Sequence, residues 1–163
     1  MNDFNVEIVK DDAVRFLEDF TDIMHKAKAG ALRKGANIIK KGVEQSLATT
    51  GINYTKQNPL YKDTLKEGIR TTKTREDNTI GIHILGTQAT GSGTFRLRFF
   101  EKGTKDRFAK TYKGKPLKKA RRLGKIKAYK FFESGVASSQ SKAQKAIQEQ
   151  LTKYIDKAWN NYG

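Results

Sequence analysis

Two histidines and one group of carboxylates are the side chains in this chain whose types could support metal binding or catalysis. His25 and His83 are the only histidines, and the chain has no cysteine, which excludes disulfides and thiolate metal sites. Neither histidine has a second histidine or a carboxylate cluster at the spacing that metal ligands require. We therefore predict no metal site and expect two surface or half-buried histidines.

Three acidic residues, Glu18, Asp19 and Asp22, lie close together in a segment predicted to be helical. A Mg²⁺-dependent nuclease would use such carboxylates, but no Glu-x-Lys partner follows on a predicted strand. Negative charge near the start of a helix is favourable because it complements the helix dipole, and this explains the group more simply. A metal-dependent nuclease is therefore the least favoured hypothesis.

The stretch Gly91-Ser92-Gly93 is similar to part of a phosphate-binding loop. It is not followed by Gly-Lys-Ser/Thr, and it is predicted to join two strands instead of opening a helix, so we predict a hairpin turn. No serine or threonine lies in a nucleophile-elbow motif. We therefore predict that the protein is not an enzyme and has no catalytic residues, no metal and no cofactor.

Basic residues are the most abundant charged side chains in the chain. There are 33 Lys+Arg against 17 Asp+Glu, which gives a net charge of +16. Residues 101–130 carry a net charge of +11, compared with +4 for residues 1–100 and +1 for residues 131–163. Residues 103–129 contain Gly and Pro and no lasting apolar period, which predicts a long basic loop. Its candidate contacts with DNA or a partner are Lys105, Arg107, Lys110, Lys113, Lys115, Lys118, Lys119, Arg121, Arg122, Lys125 and Lys127.

Three uses of this loop are open from the sequence. Basic residues interleaved with Phe108, Tyr112 and Tyr129 favour contact with nucleic-acid phosphates, which does not depend on base sequence. Because an irregular loop lacks the helix or ribbon that reads base edges, we expect no sequence specificity. The alternatives are a solvated surface loop and a segment that docks on an acidic protein surface.

Apolar periodicity predicts an α+β fold in one domain, residues 1–163. Residues 12–49 show helical spacing with Gly30 and Gly35 inside the run, which predicts one long helix that is either bent or split. A short strand at Val6 and Ile8 precedes it. No apolar run approaches the roughly 20 residues that span a bilayer, and no signal peptide is recognisable at the N-terminus.

The second half of the chain changes period twice. Residues 68–102 alternate in the manner of strands around Ile80 to Ile84 and around Phe95 to Phe99, which predicts an antiparallel sheet of three or four strands. Residues 134–160 return to helical spacing. We predict that this C-terminal helix packs on the sheet, because helices cover one face of the sheet in such folds.

Four stretches occur in the order of a known family pattern. They are residues 31–39 (Ala-Leu-Arg-Lys-Gly-Ala-Asn-Ile-Ile), 64–69 (Thr-Leu-Lys-Glu-Gly-Ile), 99–104 (Phe-Phe-Glu-Lys-Gly-Thr) and the final pair 131–132 (Phe-Phe). Over roughly residues 12–160 the chain resembles the bacteriophage neck family, the gene-10-like minor tail, head–tail joining or tail-completion proteins of long-tailed phages. The matching positions are Leu65, Ile69, Glu101, Gly103, Thr104, Phe131 and Phe132. The chain departs from the pattern at Lys62-Asp63, often Thr-Gly in the family, and at Lys130, often Pro.

The resemblance implies a structural virion protein. Copies of such a protein would form a ring in the neck, assembled in the host cytoplasm, and would join head to tail around the DNA channel. The implied partners are other copies of the chain, adjacent neck, portal-adaptor or tail-tube proteins, and genomic double-stranded DNA through non-specific contacts, with no membrane and no cofactor. The alternative that composition favours is a free-standing nucleic-acid-binding protein without sequence specificity.

Overall fold

The computed structural model describes residues 12–73, 79–84, 91–112 and 114–161, and it confirms the α+β class. The helices are α1 (Asp12–Ala48), α2 (Leu97–Lys102) and α3 (Phe131–Trp159). The strands are β1 (Arg70–Lys73), β2 (Ile80–His83), β3 (Arg107–Tyr112) and β4 (Lys115–Gly124). Short 3-10 turns at Lys66–Gly68 and Thr94–Arg96 precede β1 and α2. The strand predicted at Val6 and Ile8 lies outside the described residues.

The two long helices, α1 and α3, form a closely packed antiparallel pair. α1 is one uninterrupted helix, and α3 packs along it and not on a sheet, which corrects the predicted position of the C-terminal helix. A Cβ atom on Gly135 would lie 2.5 Å from the Cα atom of Val43, and one on Gly42 would lie 2.8 Å from the carbonyl oxygen of Gly135. Glycines that weaken an isolated helix therefore let the two backbones touch here.

The four strands form two separate antiparallel pairs instead of the single predicted sheet. β1 pairs with β2, with Arg70 opposite His83 and Lys73 opposite Ile80. β3 pairs with β4 further along the chain. The small β1–β2 sheet contacts α1, so it covers one side of the long helix.

The strand predicted at residues 95–99 is wrong, because this segment is helical. Leu97 is fully buried, whereas Phe95 and Phe99 are each about 40% exposed. The two phenylalanine rings meet edge to face with centroids 6.0 Å apart, as residues four positions apart do on a helix. Three alternating apolar residues are too few to distinguish a strand from a short helix, and burial of Leu97 decided between them.

The hydrophobic core lies where the C-terminal half of α1 meets the first turns of α3. Its fully buried members are Val43, Leu47, Leu65, Ile69, Leu97 and Phe131. Half-buried side chains surround this cluster, among them Ile82 and Phe132. Four of the seven family-pattern positions, Leu65, Ile69, Phe131 and Phe132, therefore serve packing.

Candidate interaction site on a basic hairpin

The segment predicted as a basic loop, residues 103–129, is largely a β-hairpin. Strands β3 and β4 pair antiparallel, with Phe108 opposite Arg122 and Ala109 opposite Arg121. Gly114 lies in the connection between the strands with a φ of +76°, which glycine adopts readily. The candidate contact residues are therefore carried on a two-stranded ribbon.

The loop prediction failed because neither strand of the hairpin has a buried face. Every described residue of β3 and β4 is exposed or half-buried, and the two strands contact chiefly each other. A strand is predicted from sequence when apolar residues alternate with polar ones and so form one apolar face. In β3 and β4, basic residues lie on both faces. Phe108, Thr111 and Tyr112, which have high strand propensity and precede Gly114, were the signal that could have revealed the hairpin.

The hairpin and its flanks concentrate positive charge on an exposed surface. Residues 105–127 contain 11 basic side chains and one acidic side chain, a net charge of +10. The acidic one, Asp106, pairs with Arg122 at 2.8 Å. All the predicted contact residues within the described part of the chain are exposed, and Lys113 lies outside it. Charge of this density favours an anionic partner.

One side of the hairpin also carries apolar side chains. Leu117, Leu123, Ala109 and Tyr112 line a shallow concavity of about 440 Å³, together with Thr111, Lys119 and Arg121. Leu123 is 52% exposed, and Tyr112 is 60% exposed. An isolated two-stranded ribbon is only marginally stable in water, so burial of these side chains against a partner would stabilise the hairpin.

The Glu-x-Gly-Thr motif forms the base of the hairpin. The Thr104 N–H donates to the Ile126 carbonyl at 3.0 Å, and the Ile126 N–H donates to Oγ1 of Thr104 at 2.9 Å. Gly103 has φ +72° and ψ −178°, a conformation essentially restricted to glycine, and a Cβ there would lie 2.9 Å from the Ala128 nitrogen. The motif therefore closes the two ends of the hairpin onto each other.

Glu101 connects this base to α3. Its carboxylate accepts hydrogen bonds from the backbone N–H groups of Phe132, at 2.8 Å, and Glu133, at 3.2 Å. The residue that precedes α3, Lys130, makes no side-chain cap bond and has a left-handed φ of 50°. A carboxylate at this position satisfies free N–H groups and complements the helix dipole, so Glu101 caps α3 from outside the helix.

We expect Glu101→Ala to lower the free energy of unfolding by about 1–2 kcal/mol, because two N–H groups at the start of α3 lose their acceptor. Urea unfolding followed by circular dichroism would measure the change. Glu101→Gln keeps an acceptor oxygen and should recover part of the loss. Glu133→Ala is the matched control, because the Glu133 carboxylate is exposed and pairs only loosely with Lys130, at 3.7 Å. An equal loss from Glu133→Ala would contradict the capping role.

The other residues considered for chemistry are dispersed. His25 is exposed on α1, and His83 ends β2 with its Nδ1 atom buried and without a hydrogen-bond partner among the described residues. Glu18, Asp19 and Asp22 are exposed on the first half of α1. Within the described ranges, no group of three or more His, Asp or Glu side chains is arranged to hold a metal ion.

The Gly91-Ser92-Gly93 stretch precedes the 3-10 turn and α2, which corrects the predicted hairpin turn between strands. The Asp63 carboxylate accepts hydrogen bonds from Oγ of Ser92 at 2.5 Å and from the N–H of Gly93 at 2.7 Å. Burial raises the pKa of Asp63, but these hydrogen bonds outweigh it and hold the pKa below the usual value. The Asp63 carboxylate already accepts from the Ser92 hydroxyl and the Gly93 N–H, the donors that a phosphate would need. The Gly91-Ser92-Gly93 stretch therefore connects its own loop to the loop that contains Asp63.

The site is thus a basic and partly apolar ribbon, fixed at its base by Glu101, Gly103 and Thr104. No helix in the described part of the chain has the length and apolar character needed to cross a membrane. Compared with protein-family models, with curated proteins and with solved structures, the chain gives no match.

Proposed function

We propose that the protein is a structural subunit of a tailed-bacteriophage neck that forms a ring with copies of itself and joins head to tail around the DNA channel. The observation that carries the proposal is the exposed hairpin, which together with its flanks has a net charge of +10 and is held on a packed helical body. The family-like motifs support it as well. Glu101, Gly103 and Thr104 fix the hairpin base, and Leu65, Ile69 and Phe131 build the core beneath it.

The charge of the hairpin suits a channel that must hold DNA and later release it. Contacts between exposed Lys or Arg and phosphates are independent of base sequence and weaken as salt rises. In a ring, each copy would add the same basic ribbon, so many weak contacts would act together. The adjacent neck, portal-adaptor or tail-tube proteins would contact the remaining surface of the ring.

Assembly of the purified protein with its neighbouring neck proteins tests the proposal. We expect rings, or incorporation into the neck, by electron microscopy and native mass spectrometry. Strict monomers that never join a particle would refute it. The variant with Lys118, Lys119, Arg121 and Arg122 all changed to Ala should assemble poorly. Its matched control changes four exposed lysines of α3 to Ala, which removes the same charge elsewhere: Lys142, Lys145, Lys153 and Lys157.

A second candidate function is sequence-non-specific nucleic-acid binding by the free protein. It is favoured by the exposed lysines and arginines of the ribbon, which can contact phosphates, and by exposed Phe108 and Tyr112, which can stack on unpaired bases. Fluorescence anisotropy with labelled DNA at rising salt would measure it, and each lost phosphate contact should flatten the log–log slope by about 0.9. Negligible binding at moderate salt would reject this candidate and leave the neck subunit standing. Plasmid DNA incubated with Mg²⁺ or Mn²⁺ should stay intact.

A further inference from the structure

The first half of α1 and the last half of α3 enclose a groove with an almost wholly apolar wall. Its volume is about 410 Å³, and its lining includes Met24, Leu32, Ile147 and Leu151. The sequence places Leu17, Phe20 and Met24 in the same helical stripe as the buried Val43 and Leu47. Leu17 is nevertheless 68% exposed and Phe20 is 38% exposed. Trp159 of α3 packs edge to face on the buried ring of Phe16, so this end of the stripe is only partly covered.

The α1 side of the groove begins in the acidic section of the helix. Residues 12–25 contain four carboxylates and one arginine, whereas residues 26–48 contain six basic side chains and one carboxylate. Glu18 and Asp22 lie one helical turn from the groove residues Thr21 and His25, on the same face of α1. Glu18 and Asp22 thus form an acidic rim at the N-terminal end of the groove, whereas Lys28 lies in the groove lining itself.

The basic hairpin has the complementary chemistry, with Leu117 and Leu123 among its lysines and arginines. It does not occupy the groove of its own chain. The base of the hairpin adjoins Phe131 at the start of α3, and Leu151 lies 20 residues further on, which is about 30 Å along a helix. The hairpin strands also make no extensive contact with either long helix in the described residues. The two complementary surfaces thus belong to different parts of the molecule and do not meet within one chain.

We propose that the apolar side of the hairpin of one copy docks in the α1–α3 groove of the next copy. The contact removes apolar side chains of both surfaces from water and places the acidic rim against the basic ribbon. Because the two surfaces differ, the contact is head-to-tail, and repetition by a fixed rotation closes a ring. This inference rests on the proposed ring and names the surfaces that build it.

A second copy is the occupant that charge favours. Residues 1–11 of the same chain carry three carboxylates and one lysine, so their net charge is negative. They would bring like charge to the acidic rim, and a symmetric contact between two grooves would do the same. The hairpin brings the opposite charge together with exposed aliphatic side chains.

Site-specific cross-linking tests the contact in the full-length protein, because the chain has no cysteine of its own. One protein carries Leu123→Cys in the hairpin, and the other carries Thr21→Cys at the groove. Mixed in equal amounts and oxidised, the two should give a disulfide-linked heterodimer as the main product on a non-reducing gel. The control pairs Thr21→Cys with Leu60→Cys, which is 80% exposed and outside both surfaces.

Several outcomes would overturn the inference. They are no heterodimer, a Thr21→Cys homodimer as the main product, and an equal yield from the Leu60→Cys control. Deletion of residues 2–10 should leave the yield unchanged, and a rise would show that this segment fills the groove. Failure here is distinguishable from failure of the proposed function. If the heterodimer does not form but the protein still joins phage necks, only the proposed contact is refuted. If the heterodimer forms but the protein never joins a neck, only the neck assignment is refuted.

Discussion

Gly135→Ala is expected to lower the free energy of unfolding by about 2 kcal/mol, because overpacking a tight contact commonly costs 1–3 kcal/mol. The added Cβ would lie 2.5 Å from the Cα and 2.8 Å from the nitrogen of Val43, and 2.9 Å from the carbonyl oxygen of Gly42. These are backbone atoms of α1, so no side chain can rotate to make room. The helices must separate, and this opens the core around Val43 and Phe131.

Helix propensity predicts the opposite sign for this change. Alanine in place of glycine inside a helix normally stabilises it by about 1 kcal/mol. Gly30→Ala is therefore the matched control, because the nearest atoms to a Cβ at Gly30 belong to the exposed side chain of Tyr154, which can move. Urea unfolding, followed by circular dichroism and by the fluorescence of the single tryptophan, Trp159, would compare the two variants. Stabilisation by both substitutions would contradict the close contact between α1 and α3.

Excision of the hairpin is expected to abolish assembly and leave the fold intact. Residues 105–125 would be replaced by Asn-Gly, a two-residue turn that can join Thr104 to Ile126, since these residues already pair at the hairpin base. The deletion removes ten basic side chains and one acidic side chain. None of the buried core residues lies in this segment, so the stability of the helical body should change little.

Thermal unfolding and native mass spectrometry separate these two effects. The excised protein should unfold cooperatively near the temperature of the full chain, and it should not form rings or join a neck. The variant with four α3 lysines changed to Ala removes four of the nine net positive charges that the excision removes and keeps the hairpin, so it controls for part of the lost charge. An unfolded product would mean that the hairpin supports the core, and normal assembly of the excised protein would refute the role assigned to the hairpin.

The family-pattern positions show that the order of motifs in a sequence can identify residues without giving their roles. The order of the motifs selected Glu101, Gly103 and Thr104 without indicating what they do. Glu101 caps a helix whose first free N–H lies 31 residues away, and Thr104 pairs with Ile126 across the hairpin base. Contacts over such distances along the chain follow from how the elements pack, so the sequence suggested the residues and the structure assigned their roles.

The sequence by itself determined the two long helices and the location of the charge. A long amphipathic helix repeats its apolar spacing over many turns, so the signal in α1 and α3 outweighs local exceptions such as Gly35. The concentration of basic residues in 103–129 is a property of composition and needs no structure. Both features are carried by residues near one another along the chain.

Only the tertiary structure decided whether the short segments are helices or strands, and which elements pack or pair with one another. Residues 95–99 are helical because burial of Leu97 against the core selects that geometry, and β3 and β4 pair without any buried face that a pattern could reveal. The choice of α1 as the partner of α3 depends on Gly42 and Gly135 meeting at backbone distance. Weak local preferences leave such choices open, and the contacts that settle them form between residues far apart in the chain.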